Sequence, residues 1–188
     1  MNIKKYIENC KKEIDGIEKE WIDDIILRLP INSTIFEIGT ATSRDANYIE
    51  SKNKTFTVIR SDKELEFVNY IIENGKEAHV FDILNDNFNQ NNTYNGFYAN
   101  MVINHFNLKE IKGIFIKLKN NLVNDGFISL SFSLGDNETL ETWNKTPGNV
   151  FCRYHTPEEI QNIANNLNMH TVCLLKKDEK VCYLTFQA

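Results

Sequence analysis

The sequence predicts an α/β fold: a doubly wound, seven-stranded sheet, mostly parallel with an antiparallel last strand, and helices on both faces. Three observations carry this expectation. From Thr34 to Phe132, short β-branched and aromatic runs alternate with segments of helical period, the pattern of a parallel sheet wrapped by helices. Near the end, two strand-like runs, His170 to Leu175 and Lys180 to Phe186, are joined by only Lys176-Lys177-Asp178-Glu179, a link so short that the two must be antiparallel. The length, 188 residues, suits one domain with a helical extension, which we place at residues 1–30 as an N-terminal helical cap before a main domain at 31–188.

The elements follow in order. Ile3, Tyr6, Ile7, Cys10, Ile14, Ile17, Trp21 and Ile25 recur at steps of three and four and define one helical stripe that Pro30 ends. Its polar face mixes Lys with Glu and Asp, so it is expected to pack on the sheet or over a ligand, not on a membrane. Thr34-Ile35-Phe36-Glu37-Ile38 reads as a strand ending at Gly39, followed by a helix from Ser43 through Ile49. Phe56 to Ile59 is a second strand, and Lys63 to Asn74 a helix stopped by Gly75. Ala78 to Phe81 and Gly96 to Ala99 are the third and fourth strands. Leu108 to Leu122 is a patterned helix, and Phe127 to Phe132 is a fifth strand after the turn Asn124-Asp125-Gly126. The polar stretch from Gly135 to Gly148 reads as a loop over the ligand crevice. Thr156-Pro157-Glu158-Glu159 starts a helix with a capping box.

Composition excludes several classes. With 41% hydrophobic and 25% charged residues the chain is an ordinary globular one, and its formal charge of −5 disfavours nucleic acid as a partner. No apolar run spans a bilayer and the start lacks a signal-peptide core, so a cytoplasmic protein, monomeric or homodimeric, is expected. Cys10, Cys152, Cys173 and Cys182 form no Cys-x-x-Cys pair, and the four histidines make no metal-ligand spacing, so no metal site is expected. His79 and His170 fall in strands and read as structural. Trp143, Tyr154 and His155 either close a lid or anchor the long loop.

In an open parallel sheet the ligand lies beyond the carboxyl ends of the strands, so the residues after each strand are the ones to inspect. Gly39-Thr40-Ala41 is a turn of small residues, yet Ala41 and Ser43 stand where a pyrophosphate-binding turn has glycine. Such a turn suits a ligand without a phosphate chain. Asp62 follows Gly39 by 23 residues, near the roughly 20-residue spacing of a ribose-binding carboxylate; it is equally placed to cap a helix starting at Lys63. Asp82 beside Ile83 offers an acceptor and an apolar face suited to adenine, although alone it reads as a solvated loop residue.

Glu37-x-Gly39, Asp62, Asp82, the run Tyr94-Asn95-Gly96-Phe97-Tyr98-Ala99-Asn100 and the run Leu122-Val123-Asn124-Asp125-Gly126-Phe127 resemble, in that order, the motifs of class I S-adenosylmethionine-dependent methyltransferases, over most of Thr34 to Phe132. Ser43-Arg44-Asp45, Arg60-Ser61-Asp62 and Asn100 to His105 are similar to small bacterial members of the type 11/12 kind. The chain departs from that pattern at Asn95, at Asn124-Asp125-Gly126, and at Ala41 and Ser43, where glycine is common. The resemblance implies a Rossmann-like sheet, S-adenosylmethionine as cofactor and methyl transfer to an O or N nucleophile of a small-molecule acceptor. It also implies that Glu37 orients the methionine ammonium, with Gly39, Thr40, Ala41, Arg44 and Asp45 around that end. Asp62 would hold the ribose, Asp82 and Ile83 the adenine, and Ala99 and Asn100 would line the space beside the sulfonium. His105, just past the fourth strand, is the candidate general base; packing at a loop-helix junction is the alternative. Two other readings stay open: a non-catalytic protein that binds the same cofactor for regulation, and a nucleotide-dependent oxidoreductase, against which the missing glycines count.

Overall fold

The computed structural model describes residues 3–12, 19–89, 93–135, 138–141 and 150–188. Seven strands form one sheet: β1 (Thr34–Ile38), β2 (Thr57–Asp62), β3 (His79–Val80), β4 (Tyr94–Ala99), β5 (Leu122–Ser133), β8 (His170–Lys177) and β9 (Val181–Gln187), in the order β3-β2-β1-β4-β5-β9-β8. All neighbours from β3 to β5 are parallel; β9 runs antiparallel to both β5 and β8. The expected class therefore holds, with the last strand of the sequence inserted inside the sheet. The strand order reverses between β1 and β4, where sheets of this kind open a crevice.

Side chains alternate between two buried faces, as the strand period requires. On one face Phe36, Ile38, Phe97, Ile128, Leu130, Leu184 and Phe186 meet α5 (Leu108–Asn120) and α6 (Pro157–Asn165). On the other, Ile35, Tyr98, Phe127 and Tyr183 meet α2 (Lys19–Arg28) and α3 (Arg44–Lys52). Trp21, Ile22 and Ile25 of α2 are fully buried there, and the Trp21 indole stacks on Tyr98 at 4.7 Å. The N-terminal stripe thus forms α1 (Ile3–Lys12) and α2, with Ile14 and Ile17 outside the described residues. The capping box of α6 is present, Glu159 N–H donating to Thr156 Oγ1 at 3.3 Å and Thr156 N–H to Glu159 Oε2 at 3.0 Å.

Several boundaries differ from expectation for identifiable reasons. β2 continues past Ile59 through Arg60, Ser61 and Asp62, because these polar residues are buried and satisfied inside the fold. α4 (Leu65–Glu73) accordingly starts later than Lys63, and Asp62 is not its N-cap, although the Glu64 N–H donates to it at 3.0 Å. β5 begins at Leu122, which pairs with Tyr94; the turn Asn124-Asp125-Gly126 is a bulge within that strand, with Asp125 at φ +60°. The polar stretch after Gly135 includes β6 (Glu138–Glu141), paired antiparallel with β7 (Val150–Arg153). Trp143 lies outside the described residues.

Candidate functional site

A pocket of about 300 Å³ opens where the carboxyl ends of β1, β2 and β4 meet. Gly39 and Ala41 form its floor, Asp62, Asp82 and Ile83 one side, and Asn100 and His105 the other. Seven of the sequence-selected residues are thereby brought to one cavity. Glu37, Thr40, Arg44, Asp45 and Ala99 do not line it; Glu37, Thr40, Asp45 and Ala99 are buried beside or beneath the wall, and Arg44 opens α3.

The floor is shaped by the backbone. Gly39 has φ +70°, and a Cβ there would stand 2.6 Å from Val102 Cγ2, so any other residue would be strained and would have to displace Val102. Thr40 N–H donates to the Ser61 carbonyl at 2.9 Å, and Ser43 N–H to the Thr40 carbonyl at 2.7 Å, which closes the turn. Ala41 and Ser43, the two departures from glycine, both hold positive φ, +46° and +62°. The glycine conformation survives without glycine, at the cost of backbone strain. At Ser43 a gain offsets it: the hydroxyl accepts from Arg60 Nε at 2.6 Å. Arg60, 4% exposed, also donates to both Glu50 carboxylate oxygens at 3.0 and 2.8 Å, to Asn47 and to the Val58 carbonyl. It is a buried brace between β2 and α3, away from the pocket.

Asp62 faces the pocket while one oxygen accepts the Ala41 N–H at 3.0 Å and the other accepts from Glu64. Burial raises its pKa despite these bonds. A carboxylate has about four acceptor positions, so two remain for a ligand diol. Asp82 accepts the Leu84 N–H at 2.9 Å and the Asn85 side chain at 2.8 Å. Partial burial opposes its charge, but these bonds and the Lys63 ammonium outweigh that and hold its pKa below the ordinary value.

Behind the floor lies an acidic cluster. Glu37 is 3% exposed and accepts from the Thr40 hydroxyl; burial, with the neighbouring Asp45 carboxylate, pushes its pKa up to about 8. Asp45 Oδ2 accepts from Tyr98 Oη at 2.9 Å and from Asn100 Nδ2 at 2.8 Å, while Asn100 Oδ1 accepts from Ser131 Oγ at 2.6 Å. The Asn100 amide is therefore fixed in orientation at the pocket edge. The following residue, Met101, stands at φ +58° with its N–H donated to Ser131 Oγ at 2.9 Å.

Sequence reasoning missed the apolar half of the wall: Tyr6 of α1, Phe67 of α4, Phe81, Met101, Val102 and Phe106. Tyr6 and Phe67 meet edge to face at 5.5 Å, which brings the first helix over the pocket. The N-terminal stripe was the available signal for Tyr6; nothing local marks Phe67. Among the described residues no group of acidic, histidine or cysteine side chains is arranged to hold a metal, and no helix is long and apolar enough to cross a membrane.

The fold has many solved counterparts. A S-adenosylmethionine-dependent methyltransferase from Clostridium acetobutylicum superposes with TM-score 0.71 at 14% identity over 97% of this chain and 96% of its own. Magnesium protoporphyrin IX methyltransferase from Synechocystis with bound SAH gives 0.69 at 14% identity, covering 95% and 86%. The cyclopropane synthase MmaA2 from Mycobacterium tuberculosis gives 0.72 at 10% identity, covering 91% and 84%. No family model and no curated protein matches the sequence. The architecture is thus the Rossmann-like one of these methyltransferase structures, shared at 10–14% sequence identity with the three.

Proposed function

We propose that this protein is an S-adenosylmethionine-dependent methyltransferase that transfers a methyl group to an O or N nucleophile of a small-molecule acceptor in the cytoplasm. The observation that carries the reading is the convergence of Asp62, Asp82 and the Gly39 turn on one pocket at the switch point of a methyltransferase-like sheet. The donor set fits this cofactor: carboxylates with free acceptor positions for a ribose and an amine, apolar Ile83 and Phe81 for a flat base, and a glycine cradle at the far end. Ala41 and Ser43, standing where a pyrophosphate-binding turn has glycine, count against a dinucleotide. Bound there, the cofactor would supply a methyl group activated by a positively charged sulfur.

The work of the chain is then positional. Asp62 would hold the ribose and Asp82 the adenine amine, while Glu37 and Asp45, buried behind the floor, would act on the ammonium end only through the Gly39 turn or a bridging water. Asn100, locked by Asp45 and Ser131, presents a rigid polar edge to the pocket and would line the transfer end of the bound cofactor, and Tyr6 with Phe67 would exclude water. His105, on the turn Ile103–His105, lines the same pocket, which supports assigning it the acceptor proton.

Calorimetry with S-adenosylhomocysteine tests the reading. The native protein is expected to bind and to melt at higher temperature with the ligand, and Asp62→Ala to abolish both effects while remaining folded. Silence of the native protein at millimolar ligand would refute the proposal.

A further inference from the structure

The segment after β3 is a single helical turn closed at both ends by charge. Asn85 N–H and Asp86 N–H donate to the Asp82 carbonyl at 3.1 and 2.8 Å, the Leu84 N–H to the Asp82 carboxylate, and the Asp82 N–H to Asp86 Oδ2 at 2.8 Å. The amide end of the turn is thus satisfied by its own aspartates. Its carbonyls need partners from elsewhere. They find one in Lys117 of α5, whose ammonium donates to the carbonyls of Ile83 at 2.6 Å, Leu84 at 3.2 Å and Asp86 at 2.6 Å. An ammonium has three donors, and all three are spent here.

Lys117 follows the apolar face of α5, one residue before the buried Leu118, and its half-buried stem reaches the turn from there. Burial lowers its pKa, while the carboxylates of Asp82 and Asp86 favour its charge. A lysine on an open helix face would keep its rotamer freedom; this one gives it up to three carbonyls of a segment whose Asp82 and Ile83 line the pocket.

We propose that Lys117 is a positioning residue for base recognition: by capping the carbonyl end of the 82–86 turn, it fixes Asp82 and Ile83 in the geometry that selects an adenine ring. The inference rests on the adenosine reading of the pocket. With its carbonyls drawn toward α5, the turn offers the ligand a carboxylate and an aliphatic side chain, which suit an exocyclic amine and a ring face. A base bearing a carbonyl at that position would set an acceptor against Asp82.

The test uses Lys117→Met, which keeps the apolar stem and removes the ammonium. Hydrogen exchange of the Leu84, Asn85 and Asp86 amides, measured without ligand, is expected to quicken by about tenfold or more, the equivalent of a lost charge-assisted bond. Binding of S-adenosylhomocysteine is expected to weaken by about tenfold, and its advantage over S-inosylhomocysteine to shrink toward parity. Unchanged exchange overturns the clamp, whatever the ligand does. Equal weakening of both ligands, with the preference intact, overturns the recognition role. A native protein that binds neither ligand refutes the adenosine reading and with it the recognition role, while the exchange arm still decides whether the clamp exists.

Discussion

Replacing Gly39 by alanine tests the floor of the pocket quantitatively. Two costs add. The residue must keep φ +70°, which costs an L-residue roughly 1–2 kcal/mol, and its new methyl must displace Val102 Cγ2 from 2.6 Å, an overpacking of roughly 1–3 kcal/mol. The stiffer unfolded chain returns about 0.5 kcal/mol, leaving a net loss of roughly 1.5–4.5 kcal/mol. Gly75 supplies the control: its φ is +77°, yet a Cβ there meets nothing within 4 Å. Gly75→Ala therefore carries the backbone cost alone. Urea unfolding of both variants separates the two contributions, and S-adenosylhomocysteine calorimetry on Gly39→Ala reads the damage to the pocket. Equal destabilisation by the two variants would refute the close approach of Gly39 to Val102.

Ala41→Gly relieves a positive φ and is expected to leave stability unchanged or raise it by up to about 1 kcal/mol in urea unfolding, the added freedom of the unfolded chain offsetting part of the gain. Arg60→Met should cost roughly 2 kcal/mol by the same assay, because it leaves the Ser43 hydroxyl and the Val58 carbonyl without their buried donor and Glu50 with only its Lys76 partner; a loss under about 1 kcal/mol would contradict the buried brace. The Glu37 carboxyl is protonated more readily in the folded than in the unfolded protein, so its contribution to stability is full below its unfolded value and is lost as pH rises through about 8. Unfolding free energies of the native protein and Glu37→Gln from pH 4 to pH 9 should therefore differ in slope, the native protein losing more stability than the variant; parallel curves would remove Glu37 as the source.

Much of this was legible in the sequence. The alternation of strand and helix gave the sheet, and the positions after each strand selected Gly39, Asp62, Asp82 and Asn100, which meet at one cavity. What escaped did so for physical reasons. Arg60 and Ser61 look like loop residues because they are polar, but their partners, Ser43, Glu50 and the Glu37 carbonyl, come from other elements. β6 carries no apolar alternation, so its pairing with β7 has no local signature. Tyr6 and Phe67 reach the pocket from opposite stretches of chain, and each by itself is one more apolar residue on a helix. Lys117 was invisible for the same reason: a lysine on an amphipathic helix reads as solvated until the turn that it caps is placed beside it.

The insertion of β9 between β5 and β8 sets a condition on synthesis. β5 and β8 each wait for the same ribbon, Val181–Gln187, which follows both in the chain and bonds on both edges. Until it arrives, the apolar faces of Ile128, Leu130 and Phe132 lack the neighbours Leu184 and Phe186 that cover them. The nascent protein must therefore carry an open, sticky sheet edge from the synthesis of β5 until β9 follows, and its yield in the cell depends on what shields that edge in the interval.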